Sequence, residues 1–430
     1  MRSTRACVAG SIPRNRYRYL DSVNNASGYI NHDRLSHVVD GGDVQPGTLI
    51  KRLLEAGLSA SPGTIRQEDV TLPESVDWPQ VCTIAYRCRI APVMYQCLRR
   101  ASAPVPGDVL DWFRVQHYET VARNMALLND LREMLRWFAA AEIPTIVLKG
   151  PALADLGIGV ARVSSDLDVL IQGIDRNRAD AVLRRHGLSV LPDPPHDYHV
   201  RYSRPSSSGF RVIEVHHDIF DRPRSYRPDI DGIWARSQGT TLSGIPVRVP
   251  DLADHILLTV MQLPHHHWAM RLVVDLWQIA LRWRDHLDWP GVLERAGQWR
   301  MRTLMRSALH ALWAMFDVPA PPGAVTLSSP CGYLERMQWR AAKCAIVEQL
   351  EHPFHPRVML VVPFLLVDQV TRVPAILVKR SLGIGEFPDE SPVTKATRRS
   401  MEGVAALPAI GRVLLASIGR STLRPGWPRS

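Results

Sequence analysis

Residues 147–173 read VLKGPALADLGIGVARVSSDLDVLIQG, and two features in them govern how the rest of the chain is read. One apolar run ends in Lys149-Gly150, and the next carries Asp166 and Asp168. Successive side chains of a β-strand point to opposite faces, so two acids separated by one residue share a face while Leu167 and Val169 turn into a core. Carboxylates side by side in water-poor surroundings repel, and one takes up a proton unless a cation lies between them. A Mg2+ ion removes that conflict, because it takes oxygen ligands from one or two carboxylates and completes its octahedron with water and substrate phosphates.

A third acid lies in a second strand-like run, RVIEVHHDIF at 211–220, where Glu214 is followed by His216. If that strand pairs beside the Asp-x-Asp strand, three carboxylates converge and can hold two metal ions about 4 Å apart, the arrangement suited to in-line phosphoryl transfer. Lys149 then supplies charge for a triphosphate, and Gly150 lets phosphate oxygens approach the backbone. Arg162, four residues before Asp166, is a second candidate phosphate contact. The sequence GxxxxGK[ST] is absent, so this is not a P-loop.

The flanks differ in texture from this module. Over 47–140 the spacing is helical, and Leu127, Leu128, Leu131, Met134, Leu135 and Phe138 recur at intervals of three and four as one apolar stripe. Pro144 ends that region. From 141 to 250 short apolar runs alternate with Gly and Pro as a mixed α/β core, in which SRPSSSGFR at 203–211 reads as a hairpin loop between strands. Helical spacing returns over 251–350, with Trp268, Trp277, Trp283, Trp289, Trp299 and Trp313 expected to fill helix contacts. Residues 1–46 read as a disordered or extended N-terminus, and 351–430 as an apolar helical segment followed by a basic tail.

The formal net charge of +10 would suggest a nucleic-acid or membrane partner, but its position argues otherwise. Residues 1–40 hold six Arg against three Asp, and residues 393–430 hold seven Lys or Arg against one Glu. The middle is nearly neutral, so no specific nucleic acid is expected at the core. The apolar segment 358–378 is interrupted by Pro363, Asp368, Arg372 and Pro374 and is read as core or interfacial helix; peripheral membrane contact is a lesser alternative. Six cysteines without a CxxC pair read as reduced thiols, and no apolar run near the start is long enough for a secretion signal, so a cytoplasmic protein is expected.

Two polar groups remain open. Asp275, an acid within the apolar run MRLVVDLWQIA at 270–280, is either the partner in a buried salt bridge, for instance to Arg271 at i−4, or a contributor to the nucleotide site. The consecutive His265, His266 and His267 point in different directions on a helix and do not suit one shared ion.

The motif TIVLKG, the Asp-x-Asp strand and IEVHHD together resemble the nucleotidyltransferase superfamily of the DNA polymerase β type, and more closely a bacterial branch of uncharacterised nucleotidyltransferases. Leu148, Lys149, Gly150, Arg162, Asp166, Asp168, Glu214 and His216 are the matching positions, and the resemblance covers roughly residues 75–300. It implies an α+β fold, a polymerase-β-like mixed sheet flanked by N- and C-terminal helical regions. It also implies Mg2+-dependent transfer of a nucleotidyl group from an NTP to an acceptor, which could be a small molecule, peptide or protein. Asp166, Asp168 and Glu214 would be the catalytic and metal-binding acids with one or two Mg2+ ions, Lys149, Gly150 and Arg162 would bind nucleotide, and His216 and Asp275 would stand behind them. A catalytically silent nucleotide-sensing or interaction module of the same fold is the alternative. The chain departs from the superfamily where Lys149-Gly150-Pro151 replaces the usual Gly-Ser, which removes a serine contact to phosphate.

Overall fold

The computed structural model describes residues 45–59, 72, 75–100, 105–150, 152, 162–164, 166–191, 198–206, 209–219, 226–242, 244–266, 268–283 and 285–316, and the isolated residues 336, 339, 342, 343, 346 and 350. The N-terminal stretch before residue 45, His267, the apolar segment 358–378 and the basic tail lie outside the described residues.

Helices α1 (Pro46–Ser59), α2 (Trp78–Arg87), α3 (Ala91–Arg100) and α4 (Gly107–Ala140) precede the first strand. Local chemistry sets their ends. Asp77 caps α2 by accepting a hydrogen bond from the Gln80 amide at 3.0 Å, and Pro79 sits in the first turn, where its missing N–H costs nothing. Helix α4 stops before Glu142, which adopts φ +53°, and Pro144 lies just beyond. Leu127, Leu131, Met134, Leu135 and Phe138 are all buried, so the apolar stripe of α4 is the face that packs.

Strands β1 (Thr145–Val147) and β2 (Asp166–Ile171) follow, then α5 (Arg176–Arg185), β3 (Ser189–Val190), β4 (His199–Ser206), β5 (Gly209–His216), α6 (Ile230–Arg236), β6 (Gln238–Leu242) and β7 (Ile245–Val249). They form one seven-stranded sheet in the order β3-β4-β5-β2-β1-β7-β6. The sheet is mixed: β2 runs parallel to β5 and β1 parallel to β7, while the other pairs are antiparallel. β4 and β5 form the expected hairpin, closing with Ser206 opposite Gly209. Beyond the sheet come α7 (Leu252–His265), α8 (Met270–Arg282), α9 (Trp289–Gln298) and α10 (Arg302–Met315), so the fold is α+β.

Strand alternation divides the sheet into two chemistries. Leu167, Val169 and Ile171 of β2, Ile213 and Val215 of β5 and Tyr202 of β4 join one core with the α4 stripe and with Ala179 and Leu183 of α5. Burying each large aliphatic group here contributes about 1.5–3 kcal/mol. The intervening residues, Asp166 and Asp168 on β2, Glu214 and His216 on β5, and His199 and Arg201 on β4, therefore belong to the opposite face.

The helices after the sheet are tied back to it by charge as well as packing. Asp254 of α7, fully buried, accepts from Arg236 of α6 at 3.0 Å and from Arg295 of α9 at 3.0 Å. Trp268, Trp277, Trp289, Trp299 and Trp313 are buried among these helices, in the packing role their density suggested. Among the described residues no helix is long and apolar enough to cross a membrane.

Candidate active site

The parallel pairing of β2 with β5 sets Asp168 directly opposite Glu214 and Asp166 opposite Val212. The two acids of the Asp-x-Asp pair and the third acid thus meet on one face at neighbouring strands. β4 extends the row, because Arg201 lies opposite Glu214 and pairs with it at 3.3 Å. His216 closes the group: its Nε2 lies 3.0 Å from Asp168 Oδ1 and 3.6 Å from Glu214 Oε2.

Lys149 reaches the same carboxylate from β1. The amide of Leu148 donates to the Asp168 carbonyl at 2.9 Å, which holds the end of β1 against β2, and the Lys149 ammonium then pairs with Asp168 Oδ1. Lys149 itself adopts φ +53°, a left-handed conformation that costs a lysine roughly 1–2 kcal/mol and is found where the surroundings dictate it. Gly150 follows in a close fit, since a Cβ there would meet Ser164 Oγ at 2.8 Å and Arg162 Nη1 at 3.1 Å. The absent side chain at 150 thus makes room for Arg162 and Ser164.

Arg162 is buried and already engaged: it donates from Nε to Asp275 Oδ2 at 2.7 Å and from Nη1 to Ser164 Oγ at 3.0 Å. Of the two readings left open for Asp275, the buried salt bridge is the one found, with Arg162 as partner in place of Arg271. Asp275 lies one step behind the site, and Arg162 lines it.

The two aspartates sit in opposite electrostatic states. Burial raises the pKa of Asp166, and the nearby Asp168 and Glu214 add to the rise against the weaker pull of Lys149 and Arg162. Burial pushes Asp168 the same way, but Lys149 and the hydrogen bond from His216 outweigh it and hold Asp168 below the usual carboxylate range. Burial alone would deprive Lys149 and His216 of charge; Asp168, with Glu214, reverses this and raises both pKa values. Asp168 is therefore neutralised by its neighbours. The Asp166 carboxyl has no hydrogen-bond or ion-pair partner among the described residues.

This donor set suits a hard divalent cation. Asp168, Glu214 and, once its Nε2 gives up its proton, His216 each offer a ligand atom, and these atoms lie within 4.8 Å of one another. His216 enters that group, whereas the sequence pattern alone singles out Asp166, Asp168 and Glu214. Asp166 faces the same cleft with an uncompensated carboxyl, the residue whose burial a cation would relieve.

The cleft holds about 270 Å³ and is also lined by Tyr198, Leu258, Gln262, His265, His266 and Arg271. The last five come from α7, the turn after it and α8, so the helices after the sheet supply one wall. Sequence reasoning marked the acids and Lys149 but did not assign Gln262 or Arg271 to the site, because nothing in a helical pattern reveals which turn faces a cleft built from distant parts of the sequence.

Comparisons with known proteins identify a family. Residues 74–317 match a family model described as uncharacterised nucleotidyltransferase. No curated protein matches the chain. Solved structures similar to it include two of ANT(2'')-Ia. The solution structure of that antibiotic-resistance factor is 15% identical, covers 41% of this chain and 93% of its own, and gives a TM-score of 0.31. Its crystal structure in complex with adenylyl-2''-tobramycin is 18% identical, covers 41% of this chain and 97% of its own, and gives 0.29.

Proposed function

Because the chain belongs to the uncharacterised nucleotidyltransferase family, we propose that it moves a nucleotidyl group from an NTP to the hydroxyl of a small molecule, peptide or protein, in a reaction that depends on Mg2+. The observation that best supports this reading is the in-register pairing of Asp168 with Glu214, beside Asp166 and under the Lys149 ammonium. Acids held this way, with one carboxyl lacking a counter-charge, are arranged for a cation that travels with a triphosphate.

In the proposed reaction the acceptor oxygen forms a bond to the α-phosphorus, and the bond from that phosphorus to the bridging oxygen breaks. Pyrophosphate leaves with the electron pair. Glu214 takes the acceptor proton, with Arg201 and His216 fixing its carboxylate. Asp166, Asp168 and Glu214 would hold the metal, with His216 beside them. Metal bound there would polarise the phosphoryl oxygens and offset the charge that develops on them. Lys149 supplies positive charge next to the transferring group, and Gly150 leaves the space that Arg162 and Ser164 occupy behind it. Arg162, fixed by Asp275 and Ser164, adds a standing positive field.

The test is thermal unfolding of the full chain with ATP, GTP, CTP and UTP, each with and without Mg2+, beside the Asp166→Ala, Asp168→Ala double variant. A ligand that binds only the folded state raises the midpoint with its concentration. We expect Mg2+-dependent stabilisation by at least one NTP, lost in the double variant. An equal response in both proteins would overturn this assignment of the site. Binding without pyrophosphate release on any acceptor would favour a nucleotide-sensing module.

A further inference from the structure

The guanidinium groups of Arg162 and Arg271 line the cleft together with the acids, and only that of Arg162 is neutralised by an ion pair. Arg271 lies in the first turn of α8 and lines the cleft together with Asp166 and Lys149. It is largely withdrawn from water, yet has no hydrogen-bond or ion-pair partner among the described residues. Asp275, one turn further along α8 and the natural i+4 partner, gives its carboxylate to Arg162 instead. Arg89 sits at φ +56° in the connection between α2 and α3, and its side chain likewise has no hydrogen-bond or ion-pair partner among the described residues.

Arg271 and Arg89 each interact electrostatically with Arg162 and Asp166. Burial lowers the pKa of Arg271 to about 10, with repulsion from Arg162 and Arg89 added and attraction to Asp275 and Asp166 opposing it. Arg89 is shifted down by burial as well, and it too is drawn to Asp166 and repelled by Arg162. Asp166 therefore attracts both arginines but bonds to neither. Holding unpaired cations away from water costs free energy, and in a cleft this cost is recovered when a ligand brings the missing anion.

Resting on the function proposed above, we infer that Arg271, with Arg89 beside it, receives the β- and γ-phosphates of the NTP and holds them as the pyrophosphate leaves. The cleft has the polarity such a ligand requires: carboxylates on the sheet side for the metal, guanidinium forks on the helix side for the phosphate oxygens. A planar fork makes two parallel bonds to a phosphate, and the start of α8 adds the positive end of its dipole. Arg162, held by Asp275, keeps its place and contributes no such fork.

Inorganic pyrophosphate with Mg2+ tests this without knowledge of the base or acceptor. Its affinity, and that of whichever NTP binds, would be measured by calorimetry on the wild-type full chain and on Arg271→Met, Arg271→Lys and Arg89→Met, with nucleoside monophosphate as control. We expect Arg271→Met to weaken pyrophosphate and NTP at least tenfold and leave monophosphate unchanged, Arg89→Met to weaken them less, and Arg271→Lys to restore part of the loss. The ligand-free midpoint of Arg271→Met should equal or exceed that of the wild type, since no native partner is lost. Unchanged pyrophosphate affinity in Arg271→Met, or a clear fall in its ligand-free midpoint, would overturn the inference alone. Absence of any NTP or pyrophosphate binding by the wild type would overturn the functional reading and this inference together.

Discussion

Arg162 donates to Asp275 across 2.7 Å, although 113 residues separate them in the chain. One belongs to the approach to β2 and the other to α8, so a single buried bond ties the strand of Asp166 and Asp168 to the helix that carries Arg271. The bond also explains why Arg271 is left over. Removing Asp275 leaves the Arg162 guanidinium buried and uncompensated, and Asp275→Ala should cost about 3–5 kcal/mol in urea unfolding. Arg162→Met combined with Asp275→Ala should recover much of that loss. Equal destabilisation in the single and double variants would show that packing, not charge, dominates here.

Asp166 carries the opposite lesson. Burial and its acidic neighbours raise its pKa, so its ionised form opposes folding as pH rises above the ordinary value of 3.8. Asp166→Asn should therefore raise the ligand-free unfolding midpoint at pH 7, and the gain should shrink as pH falls through the folded-state value. Adding Mg2+ should reverse the order, stabilising the wild type more than the variant. A variant less stable than wild type at pH 7 without metal would contradict the electrostatic account.

The core face of the sheet was legible in the sequence because alternation at Leu167, Val169, Ile213 and Val215 is a two-residue pattern that needs no tertiary knowledge. The acids of the other face followed from the same alternation. That β5 adjoins β2 was an added assumption, and its parallel direction was not foreseen, since pairing of strands far apart in the chain leaves no local mark. The engagement of Arg162 with Asp275 and the position of Arg271 were hidden for the same reason. A charged residue on a helix reads alike whether it faces solvent or a cleft. β3, two residues long and exposed, offered no pattern at all.

Gly150 gives a steric prediction. A methyl group there would lie 2.8 Å from Ser164 Oγ and 3.1 Å from Arg162 Nη1, both closer than ordinary contact. Ser164 is buried and bonded to Arg162, so neither neighbour yields freely. Gly150→Ala should destabilise the protein by about 1–3 kcal/mol and weaken NTP binding by displacing Lys149. Combining it with Ser164→Gly should relieve part of the clash. An unaltered midpoint in Gly150→Ala would show that the loop adjusts without strain.

His216 ties stability to pH at the centre of the site. Burial works against its charge, but the hydrogen bond to Asp168 and the nearby Glu214 carboxylate prevail and raise its pKa above the ordinary 6.5. A group whose pKa is raised on folding contributes stability that is complete below its unfolded value and disappears as pH rises through the folded one. The difference in unfolding midpoint between wild type and His216→Gln should therefore be largest below about pH 6.5 and decline on the alkaline side. Lys149 remains on Asp168 throughout, so the decline isolates the imidazole. A difference that stays constant from pH 5 to pH 9 would mean that folding leaves the His216 pKa unshifted, and one that shrinks as pH falls below about 6.5 would mean that His216 is held neutral in the folded protein.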